Sequence, residues 1–217
     1  MSQRILSFFT GLGLMLLCLL LAVYLPASST ERFEQALLAH VDAAALQTDE
    51  ASLVQFARDT MDYLLGRTEG WQPSISIWGL RDFIPQSFTR HMATVRGWCD
   101  TIPWVLGVGG ALCLCLLALC LRRGLHSSAW RWGVGLPLLL LLAAGLWALA
   151  DFNSLWGFIH RVFIPDGIFP AGEPVMALFP PSLFFSYLPV VAGLAGGAAL
   201  LALALPNLVH LFAKRSR

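Results

Sequence analysis

GVGLPLLLLLAAGLWALA, running from Gly133 to Ala150, carries no charged side chain and decides the class of the fold. Wound as a helix it is about 27 Å long at 1.5 Å per residue, close to the ~30 Å thickness of a bilayer's hydrocarbon core. Three further runs read the same way: Ile5 to Leu25, Pro103 to Leu121 and Pro189 to His210. None of them contains Asp, Glu, Lys or Arg. Of the 217 residues 57% are hydrophobic and 12% charged, and the mean hydropathy is +0.70. A water-soluble domain carries about twice that share of charge. The chain therefore reads as an all-α membrane protein with four transmembrane helices, in one integral membrane domain over 1–217. The spans are predicted at about 5–25, 103–121, 133–150 and 189–210. The first run exceeds the ~7–15 apolar residues of a signal peptide, so it reads as a retained anchor.

Basic residues set the orientation. With the N-terminus in the cytoplasm, the short inner segments hold Arg4, Arg122, Arg123, Arg131, Lys214, Arg215 and Arg217, as the positive-inside rule asks. Both chain ends are then cytoplasmic, 122–132 is a cytoplasmic turn, and 26–102 and 151–188 are extracytoplasmic. All 13 acidic residues, from Glu31 to Glu173, fall outside. Trp98, Trp104, Trp130, Trp132, Trp147 and Trp156 cluster near span ends, as an aromatic belt does. A net charge of +1 predicts no nucleic-acid or polybasic partner surface. The five cysteines give no disulfide framework, because only Cys99 lies outside the spans and their ends.

The two outer segments are expected to form a helical cap. Ser28 to Glu31 reads as a capping box, followed by Phe33, Leu37, Val41 and Ala44 at helical spacing. Thr48, Asp49 and Glu50 open a second helix that buries Leu53, Phe56, Thr60, Met61 and Leu64 and stops at Gly66. Ser74-Ile75-Ser76-Ile77-Trp78 alternates, which predicts one short strand. A helix from near Ser87 carries His91 and is expected to break or restart at Pro103. Asp151 or Asn153 caps a helix through His160 to Phe163, and Pro165-Asp166-Gly167 ends it as a turn. The apolar, proline-punctuated stretch from Ile168 to Tyr187 is expected on the bilayer surface or capping the bundle.

The spans hold no Asp, Glu, Lys or Arg, so any reaction is expected at the lipid–water boundary. His91 and His160 stand there on the same predicted side, flanked by Arg90, Arg96 and Arg161, with Asp82, Asp100, Asp151 and Asp166 nearby in sequence. An imidazole takes and returns a proton near neutral pH, a carboxylate fixes its tautomer, and an Arg or a backbone N–H holds an oxyanion. Such a set suits acyl transfer from a lipid ester. Amide formation from an ester runs downhill and needs neither nucleotide nor metal, so no cofactor is expected. A boundary histidine is nevertheless more often an interface residue, and a boundary Arg more often reaches for lipid phosphate. His40 is placed on the surface of the first outer helix, and His126 and His210 on the cytoplasmic side without a role. Cys99 offers a thiol alternative, but it stands about 80° around an ideal helix from His91. No serine-hydrolase elbow, zinc-protease motif or phosphate loop is present, and the scattered acids complete no metal site.

Taken in order, the blocks carry a resemblance. A long outer segment ends in His91-Met92 with Val95, and the stretch from Asp151-Phe152 reaches His160 and Phe163. Leu178-Phe179-Pro180 then precedes the last span, and Tyr63-Leu64 lies upstream. This resembles the bacterial lipoprotein intramolecular transacylases (Lit). The resemblance implies transfer of the sn-2 acyl chain of a diacylglyceryl-cysteine lipoprotein to the α-amino group of the same cysteine, giving a lyso-form lipoprotein. It implies His91 and His160 as catalytic residues, the outer face of a bacterial plasma membrane as the place of reaction, and a membrane-anchored lipoprotein as partner within the phospholipid bilayer. Arg90, Thr94, Arg161 and Asp151 are the candidates to support substrate or oxyanion. The family carries an Asp where this chain has Thr94, and Ile159 and Ile164 replace family phenylalanines. A phospholipid acyltransferase or lipase at the outer leaflet, and a non-catalytic four-span scaffold, stay open as alternatives.

Overall fold

A computed structural model describes residues 2–164, 167–170 and 172–215, the side chains of 210–215 excepted. The helices are α1 (Gln3–Ala27), α2 (Thr30–His40), α3 (Glu50–Leu64), α4 (Gln86–Arg123), α5 (Ser127–Ala150), α6 (Phe152–Phe163), α7 (Pro181–Phe185) and α8 (Leu188–Arg215), with a 3-10 turn at Pro174–Leu178. Among the described residues four helical stretches are long and apolar enough to cross a membrane, those of α1, α4, α5 and α8. The protein is a multi-pass membrane protein of all-α class, as its composition predicts.

Two compact units emerge. The first comprises Met1–Tyr24, Ile102–Leu146 and Val190–Arg217. Its buried centre is Met15, Trp130, Val134, Ala199 and Ala202. The Trp130 indole N–H donates to the Ala202 carbonyl at 2.7 Å, which satisfies its one polar atom inside an apolar contact. Small residues let the backbones approach, as membrane helices require without a hydrophobic drive between them. A Cβ on Gly133 would collide with the Phe8 carbonyl and the Leu12 amide of α1, and one on Gly11 would sit 2.9 Å from the Trp130 carbonyl. Gly124, at φ 89°, makes the sharp exit from α4 that ordinary residues resist. The Gln3 side-chain amide donates there to the carbonyls of Arg123 and Gly124.

The second unit comprises Leu25–Thr101 and Trp147–Pro189. Helices α2 and α3 bury one face each, Phe33, Ala36 and Leu37 against Leu53, Phe56, Ala57 and Met61. Both start as their capping residues direct. Ser29 accepts the Arg32 amide and Asp49 accepts the Ser52 amide. The first cap falls one residue later than the expected Ser28, because the Ser28 hydroxyl still closes the end of α1 on the Leu25 carbonyl at 3.2 Å. Helix α2 ends at His40, so Ala44 lies beyond it. The stretch after Ile168 joins this unit's core: Val175, Leu178, Phe179 and Leu183 are buried with Phe88 and Met92 of α4.

Two further expectations are corrected. Residues 74–78 form no strand; an isolated antiparallel bridge pairs Ile77 with Leu80 around a turn whose Trp78 and Gly79 have φ 51° and 76°. Ile75 and Ile77 are buried, as the alternation implies, but the Trp78 amide goes to the Leu46 carbonyl and no ladder forms. Pro103 neither breaks nor restarts a helix, since α4 runs through it. A proline removes a single N–H donor, and apolar helices absorb that loss. Of the expected 165–167 turn, Pro165 and Asp166 lie outside the described residues, and the Gly167 amide donates to the Ile164 carbonyl at 2.8 Å.

Gly133→Leu should destabilise by about 1–3 kcal/mol or more, as overpacking does. Gly135→Leu, where an added Cβ meets nothing within 4 Å, should be tolerated; thermal unfolding in detergent separates the two. The Ser52 backbone amide, then the Ser52 side chain, holds the Asp49 carboxyl below the usual range. Its contribution is complete above the unfolded carboxylate pKa of ~3.9 and is lost as pH falls through the lower folded value. Asp49→Asn should flatten the acid limb of a plot of unfolding temperature against pH.

Candidate active site

Helix α6 begins where Asp151 accepts the Ser154 amide at 3.0 Å, and this fixes the phase of everything after it. Trp156 and His160 are four residues apart and so share a face. His160 Nδ1 lies 2.9 Å from the Trp156 carbonyl oxygen. A carbonyl only accepts, so Nδ1 donates and in the neutral ring Nε2 keeps its lone pair. The Trp156 ring packs on His160 with centroids 4.6 Å apart and stacks on Phe184 at 4.4 Å. Phe152 stacks on the same indole at 5.6 Å.

His91 sits one turn beyond Phe88 in α4, whose ring it meets edge-on at 5.6 Å, and Phe169 meets it edge-on at 5.5 Å. The His91 and His160 rings converge, with centroids 5.8 Å apart and planes inclined by 32°. They are 8% and 7% exposed, the two imidazoles lying among aromatic rings. Two imidazoles at this separation can act on one reacting group, one taking a proton and the other giving it.

The supporting candidates are placed differently. Arg90 and Arg161 are exposed, each next to its histidine in sequence and therefore about 100° around the helix from it. The Arg161 guanidinium folds back along α6, beside Gly157. The Thr94 hydroxyl donates to the Arg90 carbonyl at 3.4 Å, within its own helix. Asp151 spends a carboxylate oxygen on the α6 cap. Arg96 reaches the carbonyls of Thr68 and Glu69 at 2.6 and 3.2 Å and lies over the Tyr63 ring at 4.9 Å, which ties α4 to the end of α3. Burial, and then the neighbouring Asp100 charge, push the Cys99 thiol up, which starves it of thiolate. Among the described residues no three His, Cys, Asp or Glu side chains gather as they would around a metal ion.

Four neighbours of the histidines carried no functional signal in the sequence. Trp156 reads as an aromatic-belt residue, Phe88 and Phe169 as ordinary apolar positions, and Gly167 as a turn. Only the spacing of Trp156 and His160, one helical turn apart, hinted at their contact.

The sequence matches no family model and no curated protein. The fold does match solved structures. It superposes on the in meso structure of the membrane integral lipoprotein intramolecular transacylase Lit from Bacillus cereus with a TM-score of 0.77 at 12% identity, covering 99% of this chain and 98% of that one. Two variants of that protein, with a histidine replaced by arginine or by alanine, match at 0.71 and 0.70 with 13% identity over 99% of this chain. They are covered over 95% and 96% of their own lengths. This chain therefore has the fold of Lit, as the sequence blocks imply.

The tautomer can be read directly. In protein labelled with 15N-histidine, at a pH where the ring is neutral, His160 should show a protonated Nδ1 and an unprotonated Nε2. Trp156→Ala should keep that tautomer, since the acceptor is backbone, while freeing the ring.

Proposed function

We propose that the protein moves the sn-2 acyl chain of a diacylglyceryl-cysteine, at the N-terminus of a membrane-held lipoprotein, onto the α-amino group of that cysteine. The observation that carries this reading is the contact of two buried imidazoles, 5.8 Å between centroids, brought together from distant segments. The likeness to the Bacillus cereus transacylase fold supports it.

In this reaction His160 Nε2 takes a proton from the α-amino nitrogen, which attacks the ester carbonyl carbon. The C–N bond forms, the carbonyl oxygen gains charge, and the bond to the glyceryl oxygen then breaks. That oxygen leaves with a proton, from His91 or from His160 returning the one it took. The amide is more stable than the ester, so the transfer itself is the driving force. Ester and amine belong to one molecule, and that proximity supplies several kcal/mol of the barrier. The exposed apolar side chains of Phe158, Val162 and Phe163 on α6, with Trp98 edge-on to Phe163 at 6.4 Å, offer a lipid-compatible face on the same unit. Arg90 and Arg161, already exposed, serve lipid phosphate better than the oxyanion. The reaction is assigned to the outer face of a bacterial plasma membrane, both chain ends being cytoplasmic by the distribution of basic residues.

Expression in a bacterium that lacks amine-acylated lipoproteins tests the reading. Lipopeptide mass spectra should show an N-acyl, monoacylglyceryl cysteine with the wild type. His91→Ala and His160→Ala should each lower it by about 100-fold or more, the usual worth of an acid–base group. Free fatty acid without N-acylation would replace the transacylase by a lipase, and unchanged lipids would leave a scaffold.

A further inference from the structure

We propose that Gly167 is a positioning residue: its side-chain-free α-carbon fills the gap between the two imidazoles and sets their spacing. A Cβ built on Gly167 would lie 2.6 Å from His91 Cε1, 2.7 Å from His91 Nδ1 and 2.7 Å from His160 Cδ2. Carbon atoms in good contact stand about 3.5–4.0 Å apart, so one methyl group displaces a ring by about 1 Å. No other glycine among the described residues has both histidines as its nearest neighbours.

Neither partner has room to yield. His91 is held edge-on by Phe88 at 5.6 Å and by Phe169 at 5.5 Å. His160 is backed by Trp156 at 4.6 Å and tied through Nδ1 to a helix carbonyl at 2.9 Å. The glycine is fixed too. The Ile164 amide donates to the His160 carbonyl at 2.8 Å, and the Gly167 amide donates to the Ile164 carbonyl at 2.8 Å. Two backbone hydrogen bonds thus lead from the main chain of His160 to the residue that rests against its own ring and against His91. Gly167 acts as a spacer between the imidazoles, and glycine is the residue that fits there. Displacement of about 1 Å at reacting groups costs on the order of 100-fold in rate.

The consequence for rate rests on the acyl-transfer reading; the spacing does not, and the test separates them. Carbethoxylation by diethyl pyrocarbonate, followed by mass spectrometry, reports access to each imidazole, with exposed His40 as internal reference. In the wild type His91 and His160 should react far more slowly than His40. Gly167→Ala should raise the rates at both by about tenfold or more, leave His40 unchanged, shift both sets of imidazole 15N resonances, and lower N-acyl product by about 100-fold. Unchanged carbethoxylation rates and resonances at His91 and His160 would overturn the proposal. Altered rates in a protein whose wild type makes no N-acyl lipoprotein would uphold the spacer and sink the transacylase. Should Gly167→Ala fail to accumulate, Gly167→Ala/Phe169→Ala, which gives His91 room to retreat, should accumulate. Its failure would also overturn the proposal.

Discussion

Phe88 meets four other rings: Trp71 at 5.5 Å, Phe179 at 5.3 Å, Phe169 at 4.8 Å and His91 at 5.6 Å. From Phe179 the contacts pass to Phe184 at 6.4 Å, to Trp156 at 4.4 Å, to His160 at 4.6 Å and back to His91 at 5.8 Å. Six rings therefore close a circuit, and four of them serve to hold the other two. Each such contact contributes about 0.5–1.5 kcal/mol beyond burial of its surface. More to the point, they leave the imidazoles few alternative rotamers. The aromatic clasp thereby fixes the geometry of the pair.

The same logic runs through the helix starts. Capping side chains determine where α3 and α6 begin, and the helical repeat then decides which side chains face inward. Asp151 thereby acts on the site from a distance: by fixing the first turn it orients both Trp156 and His160. In the first unit the equivalent constraint is steric, since Gly133 and Gly11 give α1 and α5 their close approach while Trp130 fills the remaining space.

Apolar runs and capping residues made the four spans, α3 and α6 legible in the sequence, because composition and short-range hydrogen bonds decide them locally. Pro103 misled, since an apolar helix tolerates one missing donor that would end a helix in water. Residues 74–78 misled because alternation reports burial of Ile75 and Ile77, not the presence of a neighbouring strand. At the candidate site, His91 and His160 stand out as candidate proton carriers, yet their meeting depends on contacts between distant segments that spacing does not encode. Arg90 and Arg161 adjoin the histidines along the chain, which on a helix turns them about 100° away from those rings. Gly167 was invisible as anything but a turn, because its importance lies in an atom it lacks.

Between His91 and His160 the chain passes along the apolar part of α4, turns at Gly124, and returns along α5. Two traverses are an even number, and an even number returns a chain to the side of the membrane from which it set out. Gain or loss of a single traverse in that interval would strand the two on opposite faces of a bilayer, however well each local segment folded. Between these histidines, membrane crossings can be added or deleted only in pairs.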